Sequence, residues 1–143
     1  MLRTQTLPAV SAALALAAAI ACAERGDGNA VTYASSEKVT YQERMPGASA
    51  AAVWGDPDRG AHSGFTRFAP GFDAGMHSHT SDLSLVVLEG AYLYRDESGD
   101  KRVGPGEFLR IPGGHKHWSG GDKKDGARFY QHATGKFDLV PVK

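Results

Sequence analysis

Cysteine is almost absent from this sequence: among 143 residues the only one is Cys22. An internal disulfide is therefore excluded, and the chain makes no use of an oxidising compartment for cross-links. An excess of charge of either sign is lacking too, because 16 Lys and Arg balance 16 Asp and Glu. Without a basic surface there is no basis for nucleic-acid binding, so we expect the partner to be a small-molecule ligand or substrate.

Long segments with helical periodicity are also lacking after residue 30. Short apolar stretches lie at 65–68, 83–88, 91–95, 107–111 and 128–133. The 18 glycines include several in turn dipeptides between these stretches, such as Pro70-Gly71 and Pro105-Gly106. Short strands at near-regular spacing, separated by this turn chemistry, predict an all-β sandwich or barrel.

The N-terminal segment differs in composition from the rest. After a single positive charge at Arg3, residues 7–21 hold only small or apolar side chains apart from Pro8 and Ser11. This pattern is typical of a secretory signal peptide, and the apolar run is shorter than the roughly 20 residues that a membrane-spanning helix needs. An Ala-rich helix of the mature fold is the alternative, but it would have no polar face. We therefore expect an exported protein with a signal peptide at 1–21.

The residues around Cys22 leave two forms of export open. The tripeptide 19–21 is a small-residue cleavage site, and with Cys22 behind it the segment also resembles a bacterial lipobox, although that motif prefers Leu where Ala19 stands. The protein is then either periplasmic or a lipoprotein with a lipid anchor at Cys22. Residues 22–50 are polar and Gly-rich, which predicts a tether and an edge strand before a domain at 51–143.

Histidines are concentrated in the second two thirds of the chain. They are His62, His77, His79, His115, His117 and His132. Alternate residues of a strand point to one face, so the imidazoles of His77 and His79 would project together and both reach one metal ion. Taken alone, such a pair is more often explained by solvated or hydrogen-bonded histidines than by a metal site.

The spacing around this pair is more specific. From Gly71 the chain runs Gly-x5-His-x-His to His79 and then on to Gly90, and from Gly106 it runs Gly-x5-Pro-x-Gly-x2-His to His117. This pattern resembles both halves of the cupin signature. The resemblance implies a double-stranded β-helix, the cupin jelly-roll barrel, whose interior site would hold a metal through His77, His79 and His117.

Two positions depart from the signature. Leu83 stands where the cupin pattern has a metal-binding Glu, and Gly121 stands where its second motif ends with Asn. The site therefore resembles three histidines without a carboxylate, with Asp82 of the wrong strand parity unless a bulge turns it inward. We expect one divalent metal, Fe(II) first, with Zn, Mn and Ni as alternatives, because donor type alone does not identify the metal.

Other side chains are candidates for the substrate pocket around the metal. Leu83 has the parity of the two histidines, and Arg110 and His132 lie on further predicted strands, so these three form the predicted pocket set. His115 follows two glycines in a predicted turn, which favours a position behind the metal ligands or in solvent. No general base is evident.

Short segments elsewhere are similar to a subgroup of small bacterial cupins often described as quercetin-dioxygenase-like. They are 54–56, 70–72, 77–80 and 135–138. The resemblance implies a metal-dependent dioxygenase, an oxidoreductase acting on a small chelating substrate. The alternative is a non-catalytic module that binds a metal and a small ligand. Cupins commonly pair through edge strands, so we also expect a homodimer.

Overall fold

The computed structural model describes residues 30–143. The predicted signal peptide at 1–21, Cys22 and the first part of the predicted tether lie outside the described residues. Within residues 30–143 no helix is long and apolar enough to cross a membrane.

The described chain folds into eleven strands. They are β1 (Gln42–Met45), β2 (Ala48–Gly55), β3 (His62–Phe68), β4 (Asp73–Ser78), β5 (Leu83–Gly90), β6 (Tyr92–Asp96), β7 (Gly99–Val103), β8 (Phe108–Ile111), β9 (His117–Gly121), β10 (Ala127–Ala133) and β11 (Val140–Pro141). All the strand pairs in residues 30–143 are antiparallel, which agrees with the predicted all-β class.

The strands form two sheets. The larger sheet has the order β1-β2-β3-β10-β5-β8, and the smaller has the order β11-β4-β9-β6-β7. Neighbours such as β3 and β10 are far apart in sequence, as a jelly roll requires. The larger sheet begins at Gln42, ahead of position 51, and β1 is one of its two edge strands, with β8 at the other edge.

The core lies between the sheets and follows from alternation along the strands. In β5 the side chains of Leu83, Leu85 and Val87 are buried, while the residues between them are half-buried. They pack with Phe129 of β10 and Tyr92 of β6. Each such side chain contributes about 1.5–3 kcal/mol when it is fully buried. Part of this interior is a cavity lined by residues of both sheets, so the space between the sheets can also hold a ligand.

Candidate metal centre

Three histidines meet at the inner face of the smaller sheet. His77, near the end of β4, lies directly opposite His117, the first residue of β9. Residues opposite each other in an antiparallel pair have neighbouring side chains on one face. His79 follows just beyond the end of β4 and is buried like His77, while Ser78 between them is half-buried. The strand therefore ends at this pair, and the alternation along it is as predicted.

The three imidazoles are close enough to bind one ion. One nitrogen from each ring lies within 4.8 Å of the nitrogens of the other two. The ring centroids are 4.4 Å apart for His77 and His117, 4.9 Å for His77 and His79, and 5.4 Å for His79 and His117. A metal with nitrogen bonds of about 2.0–2.1 Å fits between donors at this spacing after small adjustments.

Backbone carbonyls determine which ring nitrogen each histidine presents. His77 Nδ1 donates to Gly75 O at 2.8 Å, His79 Nδ1 to Asp138 O at 2.6 Å, and His117 Nδ1 to His115 O at 3.0 Å. A carbonyl oxygen can only accept, so each bond requires the proton on Nδ1. Each neutral ring is then left with a lone pair on Nε2, which is the arrangement that orients histidine ligands in metal sites.

One ring nitrogen of the cluster is buried without a hydrogen-bond partner among the described residues. His117 is fully buried, and its Nε2 has no hydrogen-bond partner among the described residues. Burial lowers the pKa of His117 to about 4, and burial also lowers the pKa of His77. An unpaired buried nitrogen is costly unless something binds it. The donor set therefore fits one divalent metal held by three neutral imidazoles.

A cavity of about 260 Å³ opens onto this cluster. His77 and His79 line one part of it, and most of the remaining wall is apolar, including Leu83, Phe129 and Phe137. Its volume is slightly below the range of about 300–1,000 Å³ that is typical of sites for drug-sized ligands. The interior is suited to a small and largely apolar molecule.

Comparisons with known proteins agree with this architecture. The family described as "Cupin domain" matches residues 64–131. The structure of the polyketide cyclase RemF from Streptomyces resistomycificus is 22% identical, with a TM-score of 0.66 over 80% of this chain and 87% of that chain. KdgF from Halomonas sp. is 21% identical, with a TM-score of 0.57 over 68% of this chain and 90% of that one. Residues 64–131 of the chain therefore form a cupin domain.

The solved structures share the fold with this chain at low sequence identity. A cupin described as RmlC-like from Shewanella frigidimarina is only 13% identical, yet it has a TM-score of 0.59 over 73% of this chain and 92% of that chain. At such identities the solved structures establish the fold alone. No sequence among curated proteins matches this cupin, and its assignment to the quercetin-dioxygenase-like subgroup stays a prediction.

The neighbours of the cluster have supporting roles in this cupin. The His115 side chain lies 3.0 Å from Asp96 Oδ2, while its carbonyl orients His117. Asp82 accepts from Gly113 N at 2.8 Å and pairs with Arg110, so it anchors the loop before β9 and is not part of the metal cluster.

Two of the three residues predicted to line the pocket are elsewhere. Leu83 does line the cavity beside His77 and His79. Arg110 does not, because its exposed side chain pairs with Asp82 on the outside of β8. His132 also faces outward, where its Nδ1 lies 2.9 Å from Ser63 Oγ and its ring is 6.5 Å from that of Trp54. The prediction for His132 was wrong because the inward parity of β10 is that of Phe129 and Gln131.

The C-terminal segment also contributes to the site, which was not predicted from the sequence. After β10 the chain returns over the cavity, where Phe137 and Leu139 line the wall. The Phe137 ring lies 5.3 Å from that of His79, and the Asp138 carbonyl holds His79 Nδ1. The Asp138 carboxylate accepts from Thr80 N at 2.8 Å and from Thr80 Oγ1 at 2.5 Å. These bonds tie the segment to the metal ligand.

Asp138→Ala tests this support. Loss of both bonds to Thr80 loosens the segment whose carbonyl orients His79, so we expect metal affinity to fall by about 10- to 100-fold, as when other outer-shell partners of histidine ligands are removed. Competition titration against a chromogenic chelator measures the change. The control is Asp100→Ala, which removes an exposed partner of Arg95. Equal affinities in the two variants would contradict the assignment.

The depressed pKa of His117 makes a prediction for the metal-free protein. The unfolded chain takes up a proton near pH 6.5, whereas the folded chain does so near pH 4. Folding stability is therefore complete above pH 6.5 and is lost as the pH falls towards 4, by roughly 3 kcal/mol. Urea unfolding at several pH values measures the loss, and the His117→Gln variant, which cannot titrate there, should have a flatter profile. Parallel profiles would refute the prediction.

Proposed function

We propose that this cupin is an Fe(II)-dependent dioxygenase that cleaves a small chelating substrate, a 1,3-diketone or its enol. The observation that carries the proposal is the three-imidazole cluster at the wall of a small apolar cavity, with Leu83 also in that wall and no carboxylate in the cluster among the described residues. Three neutral donors leave the full charge of the metal uncompensated and leave coordination positions for a bidentate oxygen ligand. The proposed overall reaction adds both atoms of O₂ to the diketone and yields a carboxylic acid and a 1,2-dicarbonyl compound.

The side chains around the site have distinct tasks in this proposal. His77, His79 and His117 would hold the metal, which supplies Lewis acidity and the capacity to react with O₂. Phe137 and Leu83 exclude water from the cavity and pack against the apolar part of the substrate. Burial raises the pKa of Tyr92 to about 12, so its hydroxyl stays protonated at the cavity wall and cannot act as a base near neutral pH.

Oxygen uptake tests the proposal directly. Protein loaded anaerobically with Fe(II) is mixed with a panel of 1,3-diketones, flavonols and thiols, and O₂ consumption is followed with an electrode. We expect uptake with diketones, none with the zinc-loaded protein because Zn²⁺ has no redox chemistry, and none with His117→Ala. Tight diketone binding without uptake would instead identify a binding module, and uptake with thiols alone would replace the substrate class.

Export of this cupin is a separate proposal, supported by the composition of residues 7–21. It predicts that the mature protein starts at or near Cys22. Intact-mass spectrometry of protein from the native host measures this, and retention of residues 1–21 would rule export out. The Cys22→Ser variant separates the two forms: a lipoprotein would move from the membrane fraction to the soluble one, and a secreted protein would not.

A further inference from the structure

Three polar side chains project into the cavity from the larger sheet, across from the histidine cluster on the smaller one. His62 and Thr66 lie on β3, and Gln131 lies on the adjacent strand β10. All three line the cavity, and their exposed fractions are only 3%, 7% and 9%. They interrupt a wall that is otherwise built mainly from Ala, Phe and Leu.

None of the three has its hydrogen-bonding capacity satisfied by the described residues. Thr66 Oγ1 is buried without a partner, and no hydrogen bond joins the Gln131 amide to another described side chain or backbone group. His62 Nδ1 donates to Gly60 O at 3.0 Å, which leaves its Nε2 as a free acceptor. Burial of Thr66 Oγ1 without a partner costs free energy, and the Gln131 amide and His62 line the same cavity, so a ligand bound there can satisfy all three groups.

Strand register places these groups around one point. Gln131 is opposite Gly64 on β3, and His62 and Thr66 are the next inward residues on either side of Gly64. Diagonal neighbours of this kind are within reach of long side chains. A Cβ at Gly64 would collide with the backbone of Ala51, so the position opposite Gln131 carries no side chain. The three polar groups therefore border a small notch in the wall.

The chemistry of the notch matches a neutral hydroxyl. Gln131 and Thr66 can each donate and accept, whereas His62 Nε2 can only accept, so a group that both donates and accepts satisfies them best. The charged side chains among the described cavity-lining residues are Arg44 and Asp58, which are exposed and opposite in sign, so an ionic ligand is not favoured. We infer that His62, Thr66 and Gln131 form a specificity subsite for a hydroxyl group on the substrate, remote from its metal-binding end. The inference rests on the proposed function in one respect only, which is that the metal-binding end of the substrate is a diketone.

Binding of matched probes tests the subsite without turnover. The probes are 1-phenylbutane-1,3-dione and its ortho-, meta- and para-hydroxyphenyl analogues, titrated calorimetrically into the zinc-loaded protein. We expect at least one hydroxylated isomer to bind about five- to tenfold more tightly than the parent, the effect of one or two neutral hydrogen bonds. Gln131→Met and Thr66→Val should each reduce that preference. The control His132→Met, on the outer face of β10, should retain it.

The stability of the ligand-free variants gives a second and independent result. Because Gln131 and Thr66 make no side-chain hydrogen bonds within the described fold, Gln131→Met and Thr66→Val should unfold at the same temperature as the parent or higher. Clear destabilisation by both substitutions would show a structural role and overturn the subsite, even where no diketone binds. Absence of any isomer preference would also overturn it. A preference that is retained in a protein without O₂ uptake would leave the subsite in place and reject the dioxygenase.

Discussion

Replacing any one of His77, His79 and His117 with alanine will abolish stoichiometric metal binding. Each ring supplies one of three protein donors, all three are buried, and each is held by a backbone carbonyl so that no other side chain takes its place. Two imidazoles alone bind a divalent metal far more weakly than three. Removing an outer-shell partner of a ligand already lowers metal affinity by about 10- to 100-fold, so we expect loss of a ligand itself to lower it by roughly a hundredfold or more. Inductively coupled plasma mass spectrometry after dialysis measures the metal content per chain.

Three further histidines of the same chain are the controls. His62→Ala, His115→Ala and His132→Ala should leave the metal largely intact, because His62 lies on the opposite sheet, the His115 ring contacts Asp96, and His132 faces outward. His115→Ala is the most demanding control, because the backbone carbonyl of residue 115 orients His117. Alanine keeps that carbonyl, so the variant tests the side chain alone. Complete loss of metal in His115→Ala would show that its side chain is a ligand.

Much of the fold was predictable because burial alternates along the strands. The apolar stretch at 83–88 coincides with β5, and that at 128–133 with β10, since a half-buried strand repeats every two residues. A Gly-Gly pair such as Gly120-Gly121 favours a turn, yet both residues lie in β9. A Cβ at Gly121 would lie 2.7 Å from the carbonyl oxygen of Ala69. Glycine is needed there for close backbone approach, which composition does not distinguish from a turn.

The candidate site was predictable only where side-chain spacing determines it. His77 and His79 are two residues apart on one face, and His117 follows from the resemblance to the cupin signature. The support from Asp138 was not predictable, because His79 is held by a backbone oxygen 59 positions away. For β10 the position of Gln131 between Phe129 and Ala133 could have indicated the inward face. Gln131, a polar residue on the buried face of β10, indicates the position of the pocket better than His132 beside it.

Leu83→Glu should produce a protein that depends on metal for stability. Leu83 is 4% exposed and lines the cavity with His77 and His79, at the position where the cupin signature has a carboxylate ligand. Without metal, a carboxylate buried there is unpaired and costs several kcal/mol of folding free energy. With metal it becomes a fourth, anionic donor, so that affinity rises by about tenfold or more while Lewis acidity and any O₂ uptake fall.

Leu85→Glu is the matched control for this substitution. Leu85 is the next inward residue of β5, is 1% exposed and belongs to the same core cluster as Leu83, but it does not line the cavity. Its carboxylate has no metal within reach, so Leu85→Glu should be destabilised to the same extent with and without metal. Thermal unfolding of both variants, with metal or with EDTA, separates the two effects. If Leu83→Glu behaves like Leu85→Glu and binds metal no more tightly than the parent, Leu83 does not adjoin the metal, and the apolar wall assigned to the three-histidine site is wrong.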